Sequence, residues 1–356
     1  MAAHSTAATR HCTTLSLAAG LALAAGPAAA NTVVYDSFDT PAYSLAGYGA
    51  KWANPYGLGE MAISDTRNFL GGNFAIKAPV FQTGFDFSVY DHLKYIATST
   101  QSFAVPVGGS LTFSSTITAT AHNTQAAGRI INGTYIQSGL PYSALALEGQ
   151  QAGAVMNMID FSTGQLFDWF ISGSTAFTLI ERLPSAVTNP ALLPSDPNYV
   201  GMDKMYTQII NQIDIGPGPH VASITYSDAG SVSYFLDGKL VSQVDNVGIP
   251  LDKQAGAAWS GIYPSYGPGE NLAGKVRNLT IGHGLFSLLD AYPFQHPERP
   301  DLAVSIPMSE RLFGQGMDAT FDDFTVTAVP EPQSWALLMA GLLVGIAAQR
   351  RRVPRR

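Results

Sequence analysis

The strongest structural signal in this chain is Ser223-Ile-Thr-Tyr-Ser-Asp-Ala-Gly-Ser-Val-Ser-Tyr-Phe-Leu-Asp-Gly-Lys-Leu-Val241. Apolar and polar side chains alternate in it, as they do in a strand with one buried face. Asp237-Gly238 favours the positive φ angles that a two-residue hairpin turn requires. The sequence therefore predicts a β-hairpin from strands 231–236 and 239–244, with another strand over 220–226 before it.

The same alternation recurs along the chain, and Gly, Pro and Asn separate the runs. Further strands are predicted at Ser110–Thr120, Lys275–Ile281 and Ala319–Ala328. Many short strands with such turns are typical of an all-β sandwich or barrel. One helix is predicted, over Asp203–Ile213, inside a Pro-rich insertion from Pro184 to Pro219. No repeat of fixed period is present, so we expect one domain.

The hairpin segment resembles the concanavalin-like (laminin-G-type) jelly roll. Asp322-Asp-Phe-Thr-Val326 resembles the last strand of such sandwiches, which pairs beside the first strand, here Val33–Asp39. The resemblance implies an all-β fold, a two-sheet jelly-roll sandwich. The chain also resembles uncharacterised secreted bacterial proteins of the same β type, a resemblance that implies a fold and no reaction. Four motifs carry it: Asp91–Tyr95, Asn157–Phe161, Phe167–Phe170 and Glu181–Pro184.

The N-terminus has the features of a secretory signal peptide. Arg10 precedes an apolar stretch from Leu15 to Gly26, and Ala28–Ala30 offers the small residues that signal peptidase recognises. We expect cleavage after Ala30. The only cysteine, Cys12, lies in this segment. The mature protein therefore has no disulfide, no thiolate metal site and no cysteine nucleophile.

The body, residues 31–328, is long enough for a substantial core and is acidic. It carries 13 Lys and Arg against 25 Asp and Glu, a net charge of about −12. Such a charge disfavours nucleic acid and anionic lipid as partners. It is compatible with neutral polysaccharide and with divalent cations.

The last 28 residues, 329–356, form a distinct tail. Pro330-Glu331-Pro332 is followed by an apolar run, Trp335–Ala348, and by five arginines. A basic end favours the cytoplasmic side of a membrane. The order of these features resembles the PEP-CTERM sorting signal. That resemblance implies a transient inner-membrane helix, processing by an exosortase, and a Gram-negative bacterium that makes an exopolysaccharide or biofilm matrix.

Three carboxylates are candidates for acid–base catalysis of glycoside cleavage, namely Asp160, Asp168 and Glu181. Such catalysis needs two carboxyl groups within about 10 Å of each other. A hairpin at Ser162-Thr163-Gly164 would bring these strands together, so the three side chains are predicted to line one concave face. The alternative is structural: Asp160 caps the turn and Glu181 pairs with Arg182.

Sugar recognition is predicted for a second set of residues, because carbohydrate sites combine aromatic faces with a few fixed polar groups. The set contains Trp169, Trp259, Tyr263, Tyr266, Asp91 and His92. The alternatives are that the aromatic rings fill the sandwich core and that Asp91 and His92 form a salt bridge at a strand end.

Calcium is the one cofactor that the pattern suggests. The terminal carboxylates, Asp36 and Asp39 on the first strand with Asp322 and Asp323 on the last, supply the oxygen ligands that Ca²⁺ prefers. The alternative is a set of solvated edge charges. The histidines lack zinc-site spacing, and no phosphate-loop or dinucleotide motif is present.

Together these observations predict an exported, exosortase-sorted protein of the cell surface or extracellular matrix. Non-catalytic binding of extracellular polysaccharide is the expected role. A glycoside hydrolase or lyase is the first alternative, and a purely structural matrix protein is the second.

Overall fold

The computed structural model describes residues 30–39, 44–54, 68–69, 71–82, 93–201, 203–255, 265, 267–288 and 304–330. The predicted signal peptide before Ala30 and the tail from Glu331 onwards lie outside these residues. Within them, no helix is both long enough and apolar enough to cross a membrane.

The described residues form mostly strands, with a few helices of at most two turns. The strands are β1 (Asn31–Asp36), β2 (Trp52–Ala53), β3 (Phe74–Ala78), β4 (Leu93–Ala104), β5 (Ser110–His122), β6 (Arg129–Tyr135), β7 (Pro141–Ala146), β8 (Gly153–Asp160), β9 (Gln165–Ile171), β10 (Thr175–Arg182), β11 (Tyr206–Asp214), β12 (Pro219–Ser227), β13 (Ser231–Leu236), β14 (Lys239–Val244), β15 (Asn278–Phe286), β16 (Val304–Ser305) and β17 (Gly316–Val329). The α-helices are α1 (Leu45–Lys51), α2 (Glu148–Gln151) and α3 (Ser185–Thr188), and 3₁₀ turns lie at Leu251–Lys253 and Met308–Glu310.

Two seven-stranded antiparallel sheets pack face to face. The first sheet has the order β1-β17-β5-β12-β13-β14, with β3 beside β17. The second has the order β11-β10-β9-β8-β15-β4-β2, and a small third sheet has the order β16-β6-β7. The main core lies between the first two sheets. This arrangement confirms the predicted all-β, two-sheet jelly-roll sandwich.

The second sheet is covered on part of both its faces, and this explains its composition. All residues of β8 and β9 are buried, whereas β5 of the first sheet alternates between buried and partly exposed positions. One face packs on the first sheet, and part of the other face packs on the third sheet through a second apolar cluster. A strand buried on both faces reads as a continuous apolar run instead of an alternating one.

The predicted hairpin and the predicted pairing of the terminal strands are both confirmed. Strand β13 pairs with β14, and Asp237 (φ 50°) and Gly238 (φ 74°) form the turn between them. Strand β1 pairs with β17, with Val33 opposite Val326.

The predicted helix at Asp203–Ile213 is wrong, because this segment forms strand β11. It pairs along β10 from Arg182–Tyr206 to Thr175–Asp214, with a bulge between Thr178 and Leu179. The segment is rich in β-branched residues, which favour strands. At the bulge, the alternation of inward and outward side chains along β11 shifts by one residue. This shift obscures the period-two pattern in the sequence.

A histidine lies at the centre of the aromatic core between the two main sheets. His283 on β15 is fully buried, and its Nε2 is 2.7 Å from the hydroxyl of Tyr48. Four further rings lie within about 5 Å, those of Trp52, Phe74, Phe321 and Phe324. Burial lowers the pKa of His283 to about 3, so the ring is neutral at physiological pH.

Candidate functional site

The candidate site lies on the outer face of the second sheet, which is the face that points away from the first sheet. On β9, Phe167, Trp169 and Ile171 belong to the main core. Side chains alternate along a strand, so Leu166, Asp168 and Phe170 point to the outer face. Phe170 packs there against the third sheet, whereas Asp168 lies two residues nearer the start of the strand.

Asp168 and Glu181 are neighbours on this face. Asp168 is opposite Asn157 of β8 and Leu179 of β10, and Glu181 is two residues beyond Leu179. Such diagonal positions are about 7–8 Å apart across a ladder, within reach of long side chains. Thr207 of β11 lies opposite Glu181, and its hydroxyl donates a hydrogen bond of 2.7 Å to Glu181 Oε2. The sheet therefore brings two carboxyl groups together.

The environment of the pair favours the protonated carboxyl. Burial raises the pKa of Asp168 well above its ordinary value, the nearby Glu181 raises it further, and a hydrogen bond from Asn157 opposes the shift. Burial likewise raises the pKa of Glu181 to about 7, against the hydrogen bond from Thr207. Two coupled carboxyl groups release their protons in separate steps. At pH 7 Glu181 is therefore close to half ionised, and Asp168 holds its proton to a higher pH than an ordinary aspartate does.

Two buried side-chain oxygen atoms, one within this pair and one on the neighbouring Asn157, have no hydrogen-bond partner among the described residues. They are Asp168 Oδ2 and Asn157 Oδ1. The Asn157 amide lies so close to β15 that a Cβ on Gly282 would be 2.3 Å from its Oδ1. Glycine at 282 thus makes room for Asn157, and Asn157 in turn orients Asp168. Asn157 Oδ1 is an acceptor, and Asp168 Oδ2 accepts when the carboxyl is ionised and can donate when it is protonated, so a hydroxyl group of a ligand could satisfy both atoms.

Asp160 does not join this pair. It lies opposite Gln165 on the inner side of the sheet, next in alternation to the core residue Met158. Its Oδ1 accepts from the backbone N and the hydroxyl of Ser162, and its Oδ2 accepts from the backbone N of Arg277. The prediction that Asp160, Asp168 and Glu181 line one face is wrong for Asp160, which has the structural role of capping the turn.

Trp169 is not a ligand-binding residue, contrary to prediction. It is fully buried in the main core, where its Nε1 donates to the carbonyl oxygen of Ser223 across the two sheets. The other predicted sugar-binding residues lie outside the described residues, namely Trp259, Tyr263, Tyr266, Asp91 and His92.

The terminal carboxylates do not gather into a calcium site. Asp36 is buried, and its two oxygens accept hydrogen bonds from Lys51 Nζ at 2.9 Å and Trp52 Nε1 at 2.8 Å. Burial and the charges of Asp323 and Asp39 raise the pKa of Asp322. In the part of the chain that the structure describes, no group of three or more His, Asp or Glu side chains is placed to hold a metal ion.

Asn157 and Thr207 were not identified as site residues from the sequence. Asn157 is part of a motif that carries the resemblance to secreted proteins, but only the ladder shows that it faces Asp168. Thr207 lies in the segment predicted as a helix, which concealed its position beside Glu181.

Two families match the chain. The family described as "Family of unknown function (DUF6081)" matches residues 57–330. The PEP-CTERM protein-sorting motif matches residues 328–352, which confirms the predicted sorting tail. The motif indicates an exported protein that is processed by an exosortase. No curated protein matches the chain.

Several solved structures are similar at low sequence identity. Porphyranase B from Zobellia galactanivorans is 10% identical, with a TM-score of 0.41, and β-agarase A from the same organism is 13% identical, with a TM-score of 0.40. Each alignment covers 84% of this chain and 92% of the other. The binding domain of botulinum neurotoxin DC is 12% identical, with a TM-score of 0.31, over 72% of this chain and 39% of that one.

Proposed function

This chain belongs to the DUF6081 family of unknown function, and we propose that it is an exported protein that binds neutral extracellular polysaccharide. The contact is the outer face of the second sheet around Glu181. We place the protein at the surface or in the extracellular matrix of a Gram-negative bacterium, after transient anchoring in the inner membrane.

The coupled pair Asp168–Glu181 is the observation that supports this proposal. A protonated carboxyl donates a hydrogen bond and a carboxylate accepts one, so Glu181, with a pKa of about 7, offers both roles near neutral pH. Sugar hydroxyl groups also donate and accept. Glu181 is the partly exposed member of the pair, and the apolar Ile159 and Leu166 lie beside it on the same face. Fixed polar groups on an apolar surface are the usual composition of a ligand site.

The charge of the body supports a neutral ligand. A net charge of about −12 repels anionic polysaccharides and nucleic acid at long range. A neutral chain carries no such penalty.

Titration calorimetry of the secreted protein with soluble neutral polysaccharides tests the proposal. Because ionised Glu181 is the stronger acceptor, we expect affinity to rise between pH 6 and pH 8. A hydrogen bond to a charged group contributes about 1.5–3 kcal/mol, so Glu181→Gln weakens binding at pH 8 about tenfold or more and removes the pH dependence.

Asp214→Asn is a matched control, since Asp214 is an exposed carboxylate at the far end of the neighbouring strand. We expect this variant to bind like the wild type. Absence of binding to all neutral glycans, the producer's own exopolysaccharide included, would refute the proposal and favour a structural matrix protein.

Cleavage of the polysaccharide is a second candidate function, favoured by one observation. A carboxyl group with a pKa of about 7 is matched to proton transfer at neutral pH, and a second buried carboxyl with a raised pKa lies beside it. In this candidate protonated Asp168 gives its proton to the leaving glycosidic oxygen as the bond to the anomeric carbon breaks, and ionised Glu181 takes a proton from the water that forms the new bond to that carbon.

Release of new reducing ends from the bound polysaccharide tests this second candidate. Asp168→Asn and Glu181→Gln should each lower the rate by at least about 100-fold. If glycan binds and no reducing ends appear at any pH between 5 and 8, binding remains and cleavage is rejected.

A further inference from the structure

A second concave site lies on the side of the sandwich, between the free edges of the two main sheets. Among the described strands, β11 pairs only with β10 and β14 pairs only with β13, so both are edge strands on the same side. A cleft of about 560 Å³ separates them. Ligand pockets in proteins commonly have volumes of about 300–1,000 Å³. The cleft is distinct from the outer face that carries Glu181.

Hydrogen bonds between the two sheets fix the width of this edge cleft. At its base, the hydroxyls of Thr178 and Ser242 are 2.9 Å apart and both residues are buried. Nearby, Asn211 Nδ2 donates to the carbonyl oxygen of Val241 at 3.3 Å. These bonds tie the two edges together at the base of the cleft, so the cleft is part of the packed sandwich.

The side chains that line the edge cleft are mostly neutral and polar. Four amide side chains contribute, those of Asn211, Gln243, Asn246 and Gln254. Ile210, Val244 and Leu251 form an apolar floor. Asp245 is the one charged residue among the described lining residues, and none of these is a lysine or arginine.

This lining indicates the chemical class of the ligand. Asn211, Gln243 and Gln254 each donate one hydrogen bond within the protein. An amide group has a second N–H and an acceptor oxygen, so these side chains can still both donate to and accept from sugar hydroxyl groups. With no cation in the lining, an anionic sugar or a phosphate would be repelled by Asp245. An added peptide strand would need the outward backbone groups of β14, and the Asn211 amide already occupies the carbonyl of Val241. The β13–β14 ladder also has a bulge between Tyr234 and Phe235, which disfavours edge pairing.

We propose that the edge cleft holds a segment of a neutral polysaccharide chain as a second contact. This inference rests on the proposed function and locates a separate site for the same ligand class. A long chain that contacts both the outer face and the edge cleft gains avidity, because the second contact forms within one complex. Short oligosaccharides, which reach only one site, gain none.

The test compares the double variant Gln243→Ala/Gln254→Ala, the cleft variant, with Glu181→Gln. Calorimetry measures binding to dextran as the long polysaccharide and to cellulose and galactan oligomers as short glycans. The cleft variant should weaken binding of the long polysaccharide at least fivefold and keep the pH dependence that Glu181 confers. Gln101→Ala, an exposed glutamine on β4, is the matched control and should bind like the wild type. Bound glycan should also slow amide hydrogen exchange in residues 239–246.

The outcomes separate the two claims. If the cleft variant binds every glycan like the wild type while Glu181→Gln binds less, the edge cleft is not a glycan site and the outer face remains one. If the wild type binds no neutral glycan, both claims fail. If an extended peptide and no glycan slows exchange in residues 239–246, the inference is overturned. Should the double variant not fold, Gln243→Glu at the exposed position 243 takes its place in the same comparison.

Discussion

Replacement of His283 by glutamine should make the protein less sensitive to acid. His283 is fully buried among aromatic rings, and burial lowers its pKa to about 3. In the unfolded chain the pKa of histidine is about 6.5. Between these values the unfolded state binds a proton that the native state does not. Stability due to this group is therefore complete above pH 6.5 and is lost as the pH falls below it.

The magnitude follows from the two pKa values. Between its unfolded pKa of about 6.5 and pH 4, a range of about 2.5 pH units, the unfolded state binds a proton at this position and the native state does not. One pKa unit corresponds to about 1.4 kcal/mol, so the wild type loses about 3 kcal/mol over this interval through His283 alone. The variant His283→Gln has lower stability at both pH values because the core is altered, but it lacks this change with pH.

Urea unfolding at pH 7 and pH 4, followed by tryptophan fluorescence, measures the difference. All other titrating groups are common to both proteins and cancel in the comparison. His220→Gln is a control of opposite sign: despite partial burial, hydrogen bonds to the carbonyl of Gly216 and to Asp237 raise the pKa of His220. Stability from His220 is present below pH 6.5 and is lost as the pH rises through its raised pKa. If wild type and His283→Gln lose the same stability between pH 7 and pH 4, within about 1 kcal/mol, the reasoning is refuted.

Three further outcomes are expected. Trp169→Ala should lower the free energy of unfolding by about 3–5 kcal/mol, measured by urea denaturation, because it empties part of the core. Gly282→Ala should lower the melting temperature, since its Cβ would be 2.3 Å from Asn157 Oδ1, and Asn157→Ala in the same chain should restore part of the loss. Glu270→Ala should cost about 3 kcal/mol at pH 7, because it leaves the buried guanidinium of Arg182 without its carboxylate. Hydrogen bonds to cations hold the pKa of Glu270 at about 2 despite burial, so the difference from the wild type should shrink only as acid brings the pH from about 4.5 down to 2.

The hairpin was predictable because local sequence determines it, whereas the pairing of the terminal strands followed from the resemblance to jelly-roll sandwiches. Asp237-Gly238 adopts the two positive φ angles of the turn, and the alternation on each side fixes which residues face the core. Strand β11 was not predictable in the same way. A single bulge opposite Thr178 and Leu179 shifts its pattern, and a bulge has no signature in the residues themselves.

The candidate site was half predictable for a similar reason. The sequence placed Asp160, Asp168 and Glu181 on neighbouring strands, which the ladders confirm. The face of each side chain depends on the register, and the register depends on the length of the turn. Asp160 pairs with Gln165, so these two side chains share a face of the sheet. Asp168 is three residues beyond Gln165 on the same strand, an odd number, and it therefore points to the opposite face.

The position of β17 has a consequence for the order in which the sandwich forms during synthesis. This strand lies inside the first sheet, paired with β5 on one side and with β1 and β3 on the other. Among the described strands it is also the last in the chain, and hence the last of them to leave the ribosome. The earlier strands cannot complete the first sheet without residues 316–329, so the sheet stays open until these residues have been synthesised. For a protein that has to be exported, this delay keeps the domain open for longer while the chain has to cross the membrane.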